Sequence, residues 1–85
     1  MGSTTGPAGE NQPLNKIVAA NVQRERIKKS LTVAELAART GCTTEFVDAV
    51  ERGALPELGV DDILLAFAIA LDVPIESLTS RRIPE

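Results

Sequence analysis

The sequence contains no histidine, tryptophan or tyrosine, a single cysteine and only two aromatic residues, Phe46 and Phe67. The lack of histidine and of a second cysteine removes most metal sites, the Ser-His and Cys-His nucleophile pairs and any disulfide within the chain. Because only two residues are aromatic, the hydrophobic core must be aliphatic. We predict that the protein is not an enzyme and that it has no metal site and no cofactor.

The chain also lacks a long hydrophobic run. The longest, Ile63 to Leu71, spans nine residues between two aspartates, whereas a membrane span needs about 20. The N-terminus does not have the charged-then-apolar layout of a signal peptide. The 85 residues, 44% of them hydrophobic and 25% charged, are typical of one small globular domain. We therefore expect a cytoplasmic protein with no membrane segment.

The formal net charge of −3 is unevenly distributed along the chain. Residues 16–52 carry seven basic and five acidic side chains, a net of +2, whereas residues 53–85 carry two arginines and six acids, a net of −4. An acidic chain is poorly suited to bind nucleic acid, because affinity for DNA comes largely from neutralising phosphates. The charge balance therefore argues against nucleic acid as the binding partner.

The chain divides into an arm, a domain and a tail. Residues 1–13 offer little that a core could bury, and we expect them to form a disordered arm. From residue 14 the apolar residues follow helical spacing, which predicts one domain over 14–80 and a C-terminal tail over 81–85. A first helix is predicted from about residue 14 to 29, with apolar residues four positions apart at Leu14, Val18 and Val22.

The start of a second helix carries the sharpest local signal. Thr32 and Glu35 have the spacing of a capping box, in which each side chain binds an otherwise unpaired backbone N–H group. Leu31 and Leu36 occupy the two positions of a hydrophobic staple. The helix is predicted to begin at Thr32 and to stop before Gly41, which can adopt the left-handed conformation.

Three further helices follow. Thr43 can cap a third helix that ends before Gly53. A fourth helix is predicted over 60–71; it is apolar on nearly all sides, so we expect it to be the central and most buried helix. Pro74 suits the start of a short fifth helix over 75–79. The predicted fold class is all-α, with five short helices.

The second helix, the turn and the third helix have helix-turn-helix proportions, and from here the sequence resembles a known family. The resemblance is to the Cro/CI-type (XRE) domain of lambda-like repressors, and it covers about residues 16–79. The matching segments are Arg26-Ile27, 31–37 (LTVAELA), Thr40-Gly41, Val47, 50–53 (VERG) and 68–74 (AIALDVP) leading to Leu78.

This resemblance implies a compact lambda-repressor-like domain that acts as a sequence-specific transcription regulator, a homodimer on double-stranded DNA with the third helix, about 44–52, in the major groove. Phage repressor, antitoxin and restriction controller are all compatible roles. The resemblance also implies a partly buried salt bridge between Arg26 and Glu51. The DNA-binding residues it implies are Thr32, Val33, Thr43, Thr44, Glu45, Asp48, Ala49 and Arg52, with Lys28, Lys29 and Arg39 as candidate phosphate contacts.

Three departures from the family pattern favour a second hypothesis. Glu45, Asp48 and Ala49 occupy positions where family members usually carry Gln, Ser, Arg or Lys. Val33 replaces a frequent Gln, and the loop over 54–58 lacks the usual basic residues. The alternative is therefore a lambda-repressor-like module that binds a protein partner through the acidic face of the third helix and has lost base readout.

Several charged residues also have a purely structural interpretation. Glu45 can stabilise the N-terminal end of the third helix dipole, and Lys28 and Lys29 can stabilise the C-terminal end of the first. Asp48 and Arg52 are spaced to form a surface ion pair.

The remaining candidates are expected to be structural. Cys42 has the character of a small packing residue, and Phe46 is interpreted as either a core residue or an apolar contact to DNA or to a partner. Glu57, Asp61 and Asp62 lie near the start of the fourth helix without calcium-loop spacing, so we expect them to complement its dipole.

Overall fold

A computed structural model describes residues 13–56 and 59–80. These ranges form five helices and contain no strand. The helices are α1 (Leu14–Lys28), α2 (Val33–Thr40), α3 (Thr44–Glu51), α4 (Val60–Leu71) and α5 (Glu76–Thr79). The prediction of an all-α, five-helix fold is confirmed. The predicted arm up to residue 12 and the predicted tail over 81–85 lie outside the described residues.

The end of α1 explains how the chain turns toward α2. Ser30 has a φ of 58°, in the left-handed region. Its N–H group donates to the Ile27 carbonyl (2.9 Å), and the Leu31 N–H group donates to the Arg26 carbonyl (3.0 Å). This pair of hydrogen bonds is a Schellman motif, which satisfies carbonyls that a helix end leaves unpaired. The helix therefore ends at Lys28, one residue before the predicted end.

The core lies where α1 packs against α3, α4 and α5, and where α2 packs against α3 and α4. On α1, Val18 and Val22 are buried as predicted, but Leu14 is 39% exposed and Ile17 is buried instead. Leu14 is the first residue of the helix, where fewer neighbours can cover a side chain. The largest fully buried side chains are Phe67, Leu36, Leu71 and Leu78, followed by four valines.

The prediction that α4 is the most buried helix is confirmed, since five of its twelve residues are buried, a larger fraction than in any other helix, but its apolar residues are not buried on every side. Leu64, Phe67 and Leu71 face the core, but Leu65 is 51% exposed and Ile69 is 70% exposed. A five-helix domain of this size has too few elements to surround one helix, so one side of α4 stays exposed although much of its sequence is apolar. No helix within the described ranges is long and apolar enough to cross a bilayer.

A buried polar cluster, which the sequence analysis missed, joins α1 to α5. The Asn21 amide is 3% exposed and donates from Nδ2 to the Leu78 carbonyl (2.9 Å) and the Ser80 carbonyl (3.0 Å). Its Oδ1 accepts from Arg24 Nη1 (2.7 Å), and Arg24 also pairs with Glu25, which is 4% exposed. The available signal was a polar residue inside the apolar face of α1, between Val18 and Val22.

We predict that replacing Asn21 by alanine lowers the free energy of unfolding by about 2 kcal/mol, because two carbonyls at the end of α5 lose their buried donor. Urea titration followed by circular dichroism measures the change. Gln23→Ala is the matched control, since Gln23 is exposed on the same helix. Equal effects of the two substitutions would contradict the proposed role of Asn21.

Candidate nucleic-acid interface

The turn between α2 and α3 is built from capping interactions. The Thr32 N–H group donates to Glu35 Oε1 (2.8 Å), and the Glu35 N–H group donates to Thr32 Oγ1 (3.0 Å), which completes the predicted capping box. Gly41 ends α2 with a φ of 76°. Thr43 caps α3 by accepting from the Phe46 N–H group (3.0 Å). These interactions fix the first residue of each helix and therefore which side chains face outward.

The outer face of α3 is largely exposed. Val47 and Val50 are 0% and 1% exposed and anchor the inner face. The predicted base-reading positions lie on the other side: Thr44, Glu45 and Asp48 are exposed, and Ala49 is half-buried. Arg52, which follows the helix, is exposed as well. The helix thus presents, in sequence order, one hydroxyl group, two carboxylates and one methyl group.

Local pairing modifies the charge of this face. Arg52 Nη2 lies 3.2 Å from Asp48 Oδ2, with the two side chains 71% and 56% exposed, so this surface pair contributes only ~0.3 kcal/mol. Thr44 Oγ1 donates to Glu45 Oε1 at 3.4 Å. Asp48 therefore has a neutralising partner that a small rearrangement can release, whereas the structure gives Glu45 a hydroxyl donor and no cation.

Behind α3, a partly buried ion pair ties this helix to α1. Arg26 Nε donates to Glu51 Oε2 (2.7 Å) and Arg26 Nη2 donates to Glu51 Oε1 (3.1 Å), a two-pronged contact between side chains that are 14% and 5% exposed. Arg26 Nη1 also donates to the Leu31 carbonyl (2.9 Å). The hydrogen bond to Glu51 raises the pKa of the Arg26 guanidinium, against the opposing effect of burial. The pair that the resemblance implies is present in the structure.

The three candidate phosphate-binding cations have different surroundings. Lys28 is 62% exposed at the end of α1, with Nζ 3.9 Å from Glu25 Oε2, and Lys29 next to it is exposed. Arg39 is exposed, but its Nη1 donates to the Ala70 carbonyl (3.3 Å) near the end of α4. Arg39 thus serves the C-terminal end of α4, where a cation is favourable. Sequence reasoning could not anticipate this contact because the two residues are 31 positions apart.

At the start of α2, Thr32 is exposed and Val33 is half-buried against the core. The Thr32 hydroxyl is occupied by its capping bond, as is that of Thr43 at the start of α3. The groups that remain available to a ligand at these two sites are the backbone amides of the first helical turn beside each threonine. Such amides at a helix N-terminus are suited to an anion.

Beside the start of α3 lies a mostly apolar groove against α4. Phe46 contributes to it and packs against Phe67 with ring centroids 6.4 Å apart and the rings tilted by 55°. Cys42 is half-buried here and packs against the core, and its thiol lies 3.9 Å from the Thr40 carbonyl. Both residues thus serve the packing, and Phe46 in addition presents part of its ring to the groove. Within the described part of the chain, no group of three acidic or cysteine side chains could hold a metal ion.

Comparison with known proteins gives one informative similarity. The chain matches no protein-family profile and no curated protein sequence. It does resemble the crystal structure of the hypothetical transcription factor NHTF from Neisseria, with a TM-score of 0.73 and 26% sequence identity. The similarity covers 91% of this chain and 84% of that chain. The two proteins therefore share their fold over nearly the whole domain described above.

Proposed function

We propose that this chain is a DNA-binding transcription regulator of the Cro/CI helix-turn-helix type. The observation that carries the proposal is the similarity to a hypothetical transcription factor over 91% of the chain. The exposed outer face of α3, held against α1 by the Arg26–Glu51 pair, supports it further. The proposed role is that of a cytoplasmic binding protein rather than an enzyme, in agreement with the lack of histidine.

In this proposal α3 enters the major groove, and its side chains supply modest base readout. Thr44 offers a hydroxyl group, Ala49 offers a methyl group, and Glu45 can accept a hydrogen bond from a cytosine amino group. Most of the affinity then comes from the backbone amides at the helix starts and from Lys28, Lys29 and Arg52 at the edges. Arg39 is a weaker candidate, because it already donates to α4.

Regulators of this type bind as two-fold dimers, and we propose the same for this chain. Each copy would then read one half of a palindromic site, with the half-site centres about 34 Å apart along the duplex.

The acidic outer face of α3 favours a second candidate function. Glu45 and Asp48 bring negative charge to the position where DNA phosphates would approach. Such a face suits a basic protein partner better than a nucleic acid. In this alternative the domain keeps the fold and binds a protein through α3 without reading bases.

Binding to labelled random-sequence duplex, followed by fluorescence anisotropy, distinguishes the two functions. We expect affinity to fall steeply between ~50 mM and ~200 mM salt, because phosphate neutralisation releases counterions. Replacing both Lys28 and Lys29 by alanine is expected to reduce the slope of the log–log salt plot by about 2, one for each lost phosphate contact.

Lys16→Ala is the control for these substitutions. It removes one positive charge from the same helix about 18 Å away from Lys28 along the axis. If Lys16 contacts no phosphate, it should change the slope by clearly less than the value of about 1 expected for each lost contact. Wild-type protein that shows no salt-dependent binding to duplex DNA would overturn the DNA-binding proposal and leave the interaction module as the function.

A further inference from the structure

The outward face of α1 carries one exposed cation and one large exposed apolar side chain. Lys16, Ala20, Gln23 and Ile27 recur every three or four residues and are all exposed, Ile27 by 61%. We call these four residues the α1 face. The only acid in α1 is Glu25, which is 4% exposed and paired with Arg24, so it takes no part in this face.

A shallow depression runs along the α1 face, between α1 and the end of α3. Lys16, Ala20 and Gln23 line it from one side, and Arg52 and Gly53 line it from the other. Glu51 also borders it, but that carboxylate is bound to Arg26. The depression is therefore bordered by small or uncharged side chains and by two exposed cations, of which Arg52 pairs with Asp48. Its shape suits a bulky aliphatic side chain.

The outward face of α4 has the opposite charge. Its exposed residues are Asp61, Asp62, Leu65 and Ile69 on the helix and Asp72 immediately after it, and we call these five residues the α4 face. Leu65 and Ile69 are two of the four large hydrophobic side chains that are exposed in the described residues. No lysine or arginine occurs in α4. The cation that does contact this helix, Arg39, donates to the Ala70 carbonyl, and Ala70 itself is buried.

The two faces match in length as well as in charge. Lys16 of the α1 face and Lys28 beside that face are twelve residues apart, and Lys28 Nζ also lies 3.9 Å from Glu25 Oε2. Asp61 and Asp72 of the α4 face are eleven residues apart, so both pairs span about 17 Å of helix. Packing two α4 faces together would bring aspartates against aspartates in either helix direction. Packing two α1 faces together would likewise oppose lysines. Only the combination of one α1 face with one α4 face pairs opposite charges and buries apolar side chains on both sides.

We propose that this chain self-associates by packing the α1 face of one copy on the α4 face of another, with Ile69 or Leu65 seated in the depression beside α1. The contact joins two different surfaces, so it closes into a dimer if both reciprocal contacts form and otherwise continues into a chain of copies. Arg52 in the depression is also a proposed phosphate contact, but neither face includes the outer side of α3, so the association can be tested without DNA.

Sedimentation equilibrium of the purified protein at concentrations up to ~1 mM tests the proposal. We expect reversible association that is stronger at ~50 mM than at ~500 mM salt, because the paired charges are screened at the higher concentration. A wild-type protein that remains monomeric over the whole range, or whose association is unaffected by salt, would overturn the proposal. This measurement requires no variant.

Two double variants identify the faces. Lys16→Glu with Ile27→Glu makes the α1 face acidic, and Asp61→Lys with Asp62→Lys changes the α4 face from three negative charges to a net charge of +1. All four positions are exposed and helical, so we expect the fold to be kept, which far-ultraviolet circular dichroism checks. Each variant alone is expected to associate at least about tenfold more weakly than wild type, because like charges then face each other.

Mixing the two variants provides the decisive measurement. The mixture offers one native and one charge-reversed contact, both of them complementary, so we expect association to return and to peak at an equimolar ratio. Ala38→Glu, at an exposed position of α2 outside both faces, should associate like wild type. Variants that associate as strongly as wild type, or a mixture that stays monomeric, would show that these faces do not pair.

Discussion

Replacing Glu51 by alanine is expected to lower the free energy of unfolding by about 3 kcal/mol. The substitution removes the carboxylate that accepts two hydrogen bonds from the Arg26 guanidinium, whose side chain is only 14% exposed in the native structure. An unpaired charge in a half-buried site costs far more than the loss of a surface ion pair. Because a domain of this size typically has 5–15 kcal/mol of stability in total, chemical denaturation should show a large shift of the midpoint.

Arg52→Ala is the control for this prediction. It removes a charged side chain from the adjacent position, but that side chain is 71% exposed and pairs only with Asp48, so we expect a loss of less than about 1 kcal/mol. A double-mutant cycle that combines Glu51→Ala with Arg26→Ala should give a coupling free energy of at least about 1 kcal/mol. Additive effects in that cycle would mean that the pair does not hold α1 and α3 together.

Replacing Glu45 by glutamine and Asp48 by asparagine together is expected to strengthen non-specific DNA binding about tenfold at low salt, if α3 faces DNA. Each substitution removes a negative charge from a face that approaches phosphates, and one charge pair at a few ångströms in water is worth about 1 kcal/mol. Asparagine at position 48 also frees Arg52 from its ion pair, so the arginine becomes available to a phosphate. Fluorescence anisotropy with random duplex measures the change.

The matched control raises the net charge by the same amount elsewhere. Asp72 and Glu76 are exposed at the far end of α4 and the start of α5, and Asp72→Asn with Glu76→Gln removes two negative charges without touching α3. Asparagine tolerates the left-handed conformation that residue 72 adopts. If the control strengthens binding as much as the α3 variant does, net charge and not α3 explains the effect.

The helices and their limits are largely determined by local sequence. The Thr32–Glu35 capping box, the Thr43 cap and Gly41 act within a few residues of each other, so their geometry depends little on the rest of the chain. For this reason α2 and α3 begin where their capping residues predict, and α4 matches the predicted range 60–71.

Pairs of residues far apart in the sequence were harder to predict. The Arg26–Glu51 pair could be expected only from a family resemblance, because nothing in the spacing of 25 residues specifies a contact. The buried amide of Asn21 and the contact from Arg39 to α4 were not predicted at all. Each depends on which faces of α1, α2, α4 and α5 meet, and side-chain periodicity gives the face of a helix but not its neighbour.

The outer face of α4 shows most clearly what the sequence by itself could not determine. Its run of apolar residues determined that a helix forms and that part of it is buried. The same run predicted the most buried helix, but it did not indicate which of its apolar residues would remain exposed. Only the packing decided that Leu65 and Ile69 remain exposed. The helices α1, α2 and α5 cover one side of α4, and a domain of five short helices has no further helix to cover the other side. Local hydrogen bonding thus determined the helices of this protein, whereas the number and placement of neighbouring elements decided which of its apolar and charged faces are left for a partner.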